Sequence, residues 1–458
     1  MIGTTTKTGL RRQLGLGAVA AIVMGDMLGS GIFFTPGELA SVAEHPWEVY
    51  FIWGLCGLIV LCGALTLGEL ASLLPRAGAS YHIIREGFGP FWGFAKAWVE
   101  IWVAGPGSVA GVAIVFGEFL TRFLGPRAFG TPSAWGVAAI ALFVAINLMG
   151  VRWGGRTQIA LTAIKILGLL SLVVGSLLLA EPAPSLAGSA RLVGSGGPLA
   201  LLRVVGLGVA AVLFTYDGWS DVSHVAGEVD RPERNLPLGL PLGVAAITGL
   251  YLVVNYAYLR VVPLAAMGGE TTTVAATVAL RSFGSIGGRV VNGLIMISIF
   301  GALGGLVMTL PRFFFAAASD YEPQTRGSRA HGFFQVLSVV SPRTAVPTGA
   351  IWFCAALSCA ALWFFGTFGR LVSYIVVPLQ FANILMVAAV FRLRRRVEIR
   401  KEPYRTPGYP VVPSVFILVM SLFLVSAILY HPVDTLVGVA MAALSIPAYF
   451  WITKREAI

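Results

Sequence analysis

Three ionisable side chains stand inside apolar stretches where charge is costly: Asp26, Lys165 and Asp217. Hydrocarbon cannot solvate such groups, so each is a functional candidate by default. Two of them flank small residues. Asp26-Met27-Leu28-Gly29-Ser30-Gly31-Ile32-Phe33 lies in the apolar run 14–43. Phe214-Thr215-Tyr216-Asp217-Gly218-Trp219-Ser220-Asp221 lies in the run 199–226. Glycine costs about 1 kcal/mol relative to alanine in a helix interior, and serine competes for backbone hydrogen bonds. The first stretch therefore reads as a broken helix, with a first half to Leu28, an unwound Gly29-Ser30-Gly31 and a second half from Ile32. Unwound backbone at membrane depth survives only where protein buries it or where it lines a polar cavity. The free N–H groups and positive dipole end of the second half suit a carboxylate. The competing reading is a glycine-rich packing face on an intact helix.

The elements that must position these groups are membrane helices. Of the 458 residues, 57% are hydrophobic and 12% charged. Mean hydropathy is +0.83, and soluble domains carry about 25% charged residues. A span needs about 20 apolar residues, and twelve runs qualify: 14–43, 49–74, 91–123, 134–149, 159–180, 199–226, 238–262, 290–318, 346–365, 371–391, 411–429 and 433–452. The first run is too long, and lacks the cleavage site, for a removable signal peptide. Alternate loops hold about 22 of the 32 basic residues, Arg312 counted among them, which places both termini in the cytoplasm. The net charge of +11 thus serves topology, with no basic-aromatic face for nucleic acid. The four cysteines, Cys56, Cys62, Cys354 and Cys359, lie in apolar runs, and the histidines lack metal-ligand spacing. No metal or cofactor is expected. The two interrupted segments fall in the first and sixth runs, five helices apart. Paired interruptions at matching positions point to a transport site between inverted repeats.

Four motifs give the chain a resemblance to the amino acid–polyamine–organocation superfamily, and within it to the L-type amino-acid transporters. They are Gly29-Ser30-Gly31-Ile32-Phe33; Gly68-Glu69-Leu70 with Pro75, Ala77-Gly78 and Tyr81; Tyr216-Asp217-Gly218-Trp219 with Gly227-Glu228 and Pro232 to Pro237; and Pro403-Tyr404-Arg405 with Pro407 and Tyr409-Pro410. Ala79 departs from the usual second glycine. The resemblance implies an all-α polytopic membrane protein with a LeuT-like five-plus-five inverted repeat. That assigns 14–180 to the first repeat, 199–391 to the second and 411–452 to two peripheral helices, within one transporter domain over 1–458. It also implies amino-acid substrates. Animal relatives pair with a heavy chain through a cysteine between helices three and four; the loop 122–133 has none, so a bacterial-type protein without that partner is expected.

On this reading the amides near Ser30, Gly31 and Ile32, with Gly29 beside them, take the substrate carboxylate. Gly31 is where the backbone must approach it. Carbonyls freed near Met27 and Phe214 take the ammonium. Thr215, Tyr216 and Gly218 complete the second break. Phe214 resembles the family's aromatic gate; an ordinary packing role is the alternative. Asp217 could hold the ammonium, take a proton or cap the second half-helix. Asp26 has a choice between carrying a proton and structural hydrogen bonding. Lys165 follows Arg156-Thr157-Gln158, as in sodium-independent members, where a lysine occupies the place of a cation in sodium-coupled relatives. Its ammonium can reach carbonyls near Gly25 and Asp26; snorkelling to the surface is the alternative. Glu69 is expected near the cytoplasmic end, Glu100 and Glu118 receive no role, and His224 is expected to pack. The polar loop 230–235 after Gly227-Glu228 is expected to be cytoplasmic and to form gate salt bridges, surface pairs that contribute under about 1 kcal/mol each.

The function expected is sodium-independent uptake or exchange of amino acids, neutral ones first, in the cell membrane. Gly105, where some relatives place a basic residue before the proline, weakens a case for acidic substrates. Proton-coupled symport of amino acids or amines is the alternative, and a non-transporting sensor the third reading. An enzyme would need a convergent nucleophile and base or a metal set, and none is found.

Overall fold

The computed structural model describes residues 10–125, 130–182, 208–209, 211–268, 273–325, 330–365, 368–395, 404–430 and 432–453. The described residues are helical, with no strand beyond a single parallel bridge between Leu14 and Val229. The first run is α1 (Leu16–Met27) and α2 (Gly31–Ala40), bent by 45°. Then come α3 (Pro46–Leu73), the short α4 (Ala79–Phe88), α5 (Pro90–Leu124), α6 (Pro132–Leu148) and α7 (Val151–Leu179). After the second break follow α8 (Pro232–Val261), α9 (Val274–Tyr321), α10 (Thr348–Phe365), α11 (Phe368–Leu393) and α12 (Val411–Tyr430). The last run is split into α13 (Pro432–Ala443) and α14 (Ser445–Thr453). Among the described residues, eight helices are long and apolar enough to cross a membrane, or nine with the bent pair as one span. Pro132–Leu148 and Thr348–Trp363 are apolar but shorter. The start of the sixth run, 199–207, lies outside the described residues. The architecture is that of an all-α polytopic membrane protein.

α7 shows how such a helix reads. Its buried face is Gly154, Gly155, Gln158, Thr162, Lys165, Leu169, Leu172 and Ser176, at spacings of three and four. Its exposed face includes Ile159, Ile164, Leu167, Val174 and Leu178. Polar groups point inward and large apolar ones outward, the arrangement required when lipid surrounds the bundle. The helix begins eight residues before the apolar run. Arg152 and Arg156 disguise its first turns as loop, yet both are exposed and lengthen the helix past the hydrocarbon.

α8 likewise starts at Pro232, where proline suits the first helical turn. Pro237 and Pro241 lie inside it, and Pro237 packs on Gly68, whose added Cβ would lie 3.0 Å from Pro237 Cα. α9 extends back to Val274 through a non-helical Gly284 (φ 66°). α3 packs along α8, α1 along α7 and α8, and α9 against α5, α6 and α7, so α1 is enclosed by the elements that carry the site.

One expectation is corrected by burial. Arg312 is not a loop residue: it lies inside α9 and is fully buried. Its Nε donates to Glu228 Oε2 at 3.1 Å, and its Nη1 donates to Met308 O at 2.7 Å and Asn147 Oδ1 at 3.2 Å. Glu228 is equally buried, and its carbonyl accepts from the Gln13 and Leu14 amides at 2.7 and 2.9 Å. The end of the 3-10 helix before the polar loop 230–235 therefore holds an interior ion pair. Glu69 is buried too, accepting from Arg394 Nε and Nη2 at 2.7 and 2.6 Å and from Thr406 N and Oγ1, each at 2.6 Å. This joins the end of α3 to the segment before α12. Removing one partner of a buried pair costs about 3–5 kcal/mol, because the other charge is left uncompensated. Glu228→Leu and Arg312→Leu should each lower the melting temperature of the purified protein. The double variant should melt above the sum of the two losses, and additive losses would show that the pair is not coupled.

Candidate functional site

α1 ends at Met27, and Leu28 leaves the helical region with ψ 68°. Gly29 and Ser30 follow before α2 starts at Gly31. An interrupted helix frees carbonyls that lipid cannot satisfy, and side chains from three other helices take them. Lys165 Nζ on α7 donates to Gly25 O at 2.8 Å and to Leu28 O at 2.9 Å. Ser298 Oγ on α9 lies 2.8 Å from Leu28 O and 2.9 Å from Gly29 O. Tyr251 on α8 donates to Met27 O at 2.8 Å. One turn earlier, Thr162 Oγ1 donates to Ala21 O at 3.0 Å. Lys165 is completely buried, so it does not snorkel.

Asp26 points into this same centre. Its Oδ1 accepts from Gln158 Nε2 at 3.3 Å, and its Oδ2 is buried with no hydrogen-bond partner. The walls are glycine because nothing larger fits. A Cβ on Gly301 would strike Lys165, one on Gly305 would strike Asp26 Oδ1, and one on Gly25 would strike Gln158 and Thr162. Gly218 has φ 93°, and its added Cβ would lie 3.0 Å from the Asp26 carbonyl carbon; both conformation and space demand glycine there.

The second break is a turn at 216–220 followed by a 3-10 helix, Asp221–Glu228. The tighter helix replaces the α-helical second half expected from sequence. Ser220 stands at its N-terminus, so Asp217 is not the cap. The Asp217 carboxylate instead lies against the Gly218 amide and the Gln380 side chain, within electrostatic reach of Lys96 and Glu100. Those two form a buried ion pair on α5, four residues apart. They flank a π-helical turn, Glu100–Ala104, just before Pro106, whose missing N–H disturbs the ladder. A Cβ on Gly105 would lie 2.6 Å from Glu100 O and 3.1 Å from the Phe314 ring, so no side chain fits there.

The expected site residues divide. Gly29, Ser30 and Gly31 are partly exposed, and so are Asp217, Gly218 and Phe214, the last at 41%. Among the described residues, the Ser30, Gly31 and Ile32 amides find no acceptor in the protein. Three expectations need correction. The Met27 carbonyl accepts from the Tyr251 hydroxyl at 2.8 Å and the Gly29 amide at 2.9 Å, so it is not left for an ammonium, whereas the Phe214 carbonyl accepts from the Asp217 amide at 3.2 Å and keeps a second lone pair. Tyr216 is fully buried, its hydroxyl donating to Trp53 O at 3.1 Å and its ring packed between Trp53 and Tyr251. Gly31 faces protein rather than open space: its Cβ would collide with Thr215, whose Oγ1 lies 2.7 Å from Thr35 Oγ1. Gly29 has nothing within 4 Å of a Cβ. The His224 ring packs on Phe313, its Nδ1 without a partner. Sequence reasoning passed over Tyr251, Ser298 and Gln380, which carry no local signal, and Lys96–Glu100, whose spacing of four was available; Gln158 was named only as part of the lead to Lys165. Among the described residues no group of His, Cys, Asp and Glu could hold a metal ion.

The contrast between the two glycines is testable. Gly29→Leu should melt close to wild type yet lose amino-acid binding, because its side chain enters the open space beside the free amides. Gly31→Leu should melt lower, because it must displace Thr215. Wild-type binding by Gly29→Leu would remove this space from the site.

Comparison with known proteins places this architecture. The chain is 28% identical over 456 residues to the serine/threonine exchanger SteT of Bacillus subtilis (strain 168), covering 99% of both chains. It is 26% identical to the human cystine/glutamate transporter, covering 97% of this chain and 86% of that one. It is 28% identical to the human b(0,+)-type amino acid transporter 1, over 92% and 83%. The amino acid permease family model matches residues 14–452. The chain belongs to the amino acid permease family, within the amino acid–polyamine–organocation superfamily, and is a membrane transporter rather than an enzyme.

Proposed function

We propose that this protein moves amino acids, neutral ones first, by sodium-independent exchange or uptake, alternating access about the two breaks. The observation that carries the reading is Lys165 Nζ held by the Gly25 and Leu28 carbonyls. A fixed ammonium there supplies the positive charge that a dissociable cation would otherwise bring. The substrate carboxylate meets the Ser30, Gly31 and Ile32 amides at the start of α2, favoured by the helix dipole. With the Met27 carbonyl taken, the second break offers the Asp217 carboxylate, beside the Phe214 carbonyl, as the charged acceptor for the ammonium. Phe214, half exposed beside it, covers the site as a gate. The packed Gly105 supports a preference away from acidic substrates, since no basic side chain fits at that point.

In this reading 14–180 and 199–391 are the two inverted five-helix repeats, with 411–452 peripheral. Both termini face the cytoplasm, the protein sits in the cell membrane, and it works without a disulfide-linked heavy chain. The relatives supply the substrate class: one is named an exchanger of serine and threonine, another a transporter of cystine and glutamate.

The experiment is uptake and counterflow of labelled amino acids in proteoliposomes. Replacing sodium by choline should leave the rate unchanged, and Lys165→Ala should lose transport while still eluting as a folded protein. Sodium-dependent uptake, or a fully active alanine variant, contradicts the reading. Asp217→Asn should weaken binding at every pH between about 5 and 8 if the carboxylate holds the ammonium. An unchanged affinity would leave Asp217 a structural residue of the turn.

A further inference from the structure

Asp26 is a poorly satisfied charge inside the bundle. Its Oδ1 has one long bond, from a neutral amide, and its buried Oδ2 has none. Among the described residues no cation lies within ion-pair distance of it; Lys165 spends its hydrogen bonds on Gly25 O and Leu28 O. The groups that face it add to the imbalance. α7 presents Lys165 and the 3-10 helix presents Asp221; Asp217 and the Lys96–Glu100 pair lie beyond Asp221, with His224 beside that pair. α8 presents the neutral Tyr251, and α9 presents glycine, with Arg312 further along. Two carboxyls, Asp26 and Asp221, therefore face one ammonium group. A zwitterionic substrate brings no net charge to correct this. An uncompensated carboxylate in a dry interior is costly enough that it is neutralised instead.

A second observation shows a way in. α9 abuts Asp26 at Gly305. Thr309 follows on the same face, one turn on, its hydroxyl fully buried and without a partner. Arg312 follows three residues later, with Nη2 unpartnered, against Glu228, with Oε1 unpartnered. These orphaned atoms step along about 10 Å of α9, from Asp26 toward the end of the bundle that the proposed orientation puts in the cytoplasm, as far as the buried Arg312–Glu228 pair. Buried polar atoms in such a line are satisfied by water.

We propose that Asp26 is a proton-binding residue of the transport cycle, in exchange with the cytoplasmic side along the Thr309–Arg312–Glu228 face of α9. A proton delivered by water forms an O–H bond at Oδ2, the carboxylate becomes a neutral carboxyl, and the reverse step returns the proton to water. The direction of access rests on the proposed orientation; the protonation does not. Coupling to substrate movement follows because Asp26 lies one residue before the break and touches Gly218 of the second break, so its charge acts on both segments that must move.

Infrared pH-difference spectra of the full chain in lipid nanodiscs test this without substrate. Wild type should show a buried protonated carboxyl C=O band titrating between about pH 5 and 8. The band should vanish in Asp26→Asn and persist in Asp217→Asn and Asp221→Asn. Thr309→Val should keep the band and slow its shift on transfer to deuterated water. Absence of any such band from wild type, or its persistence in Asp26→Asn, overturns the proton site. An unchanged deuterium shift in Thr309→Val overturns the path. If Asp26→Asn does not fold, Asp26→Ser takes its place, and the wild-type spectrum alone can still refute the proposal. The band belongs to the ligand-free protein, so failure of sodium-independent transport would leave it standing, and its absence would not touch the choline result.

Discussion

Carbonyl groups released inside a membrane have to find donors, and the first break is where this protein meets that demand. Interrupting α1 after Met27 frees the carbonyls of Gly25, Met27, Leu28 and Gly29. Lys165, Tyr251 and Ser298 supply the donors. Each unsatisfied group would cost several kcal/mol in hydrocarbon, so the break exists only because α7, α8 and α9 hold it. The same bonds fix where α2 begins and hence where its free amides point. On the proposed reading, substrate recognition follows from how the backbone is satisfied: the amides at the start of α2 stay free while the Gly25, Met27, Leu28 and Gly29 carbonyls have donors.

That constraint sets the rest of the packing. Lys165 and Asp26 need neighbours that approach closely, and Gly301, Gly305, Gly25 and Gly218 give the backbone room to do so. Beyond this centre the interior is held by pairs that would be weak on a surface and are strong in the dry bundle. Glu228 with Arg312 ties the end of the 3-10 helix to α9, and Glu69 with Arg394 and Thr406 ties α3 to the approach of α12. Both ties cross between elements that alternating access would have to separate or carry together. The lipid-facing surface is the complement of all this: α7 shows Ile159, Ile164, Leu167 and Leu178 outward and Gly154, Gly155, Gln158 and Lys165 inward.

Much of this was legible in the chain itself. Apolar runs marked the membrane helices, and Gly29-Ser30-Gly31 marked a break that the structure puts at 28–30. Lys165 stood out because a lysine so deep in an apolar run has few physical explanations. Tertiary partners were not legible. Nothing local to Tyr251 says that its hydroxyl will occupy the Met27 carbonyl, and that contact changes which group can hold an ammonium. Gly31 looked like the point of ligand approach, but its neighbour is Thr215, 184 positions away in the chain. Helix starts were missed where charge or proline masked them, at Arg152 and at Pro232, since an apolar window reports the hydrocarbon rather than the helix. Arg312 was misplaced for the same reason: an arginine at the end of an apolar run resembles a loop residue until its partner Glu228 is seen.

The central claim is that the site is completed by a fixed ammonium and binds amino acids with no free cation. Thermal unfolding of the purified protein against the twenty amino acids, run in sodium chloride and again in choline chloride, tests it most directly. A ligand at 100 times its dissociation constant stabilises by about 2.7 kcal/mol. The account predicts that at least one neutral amino acid raises the melting temperature, and by the same amount in both salts. Stabilisation that appears only in sodium would contradict it.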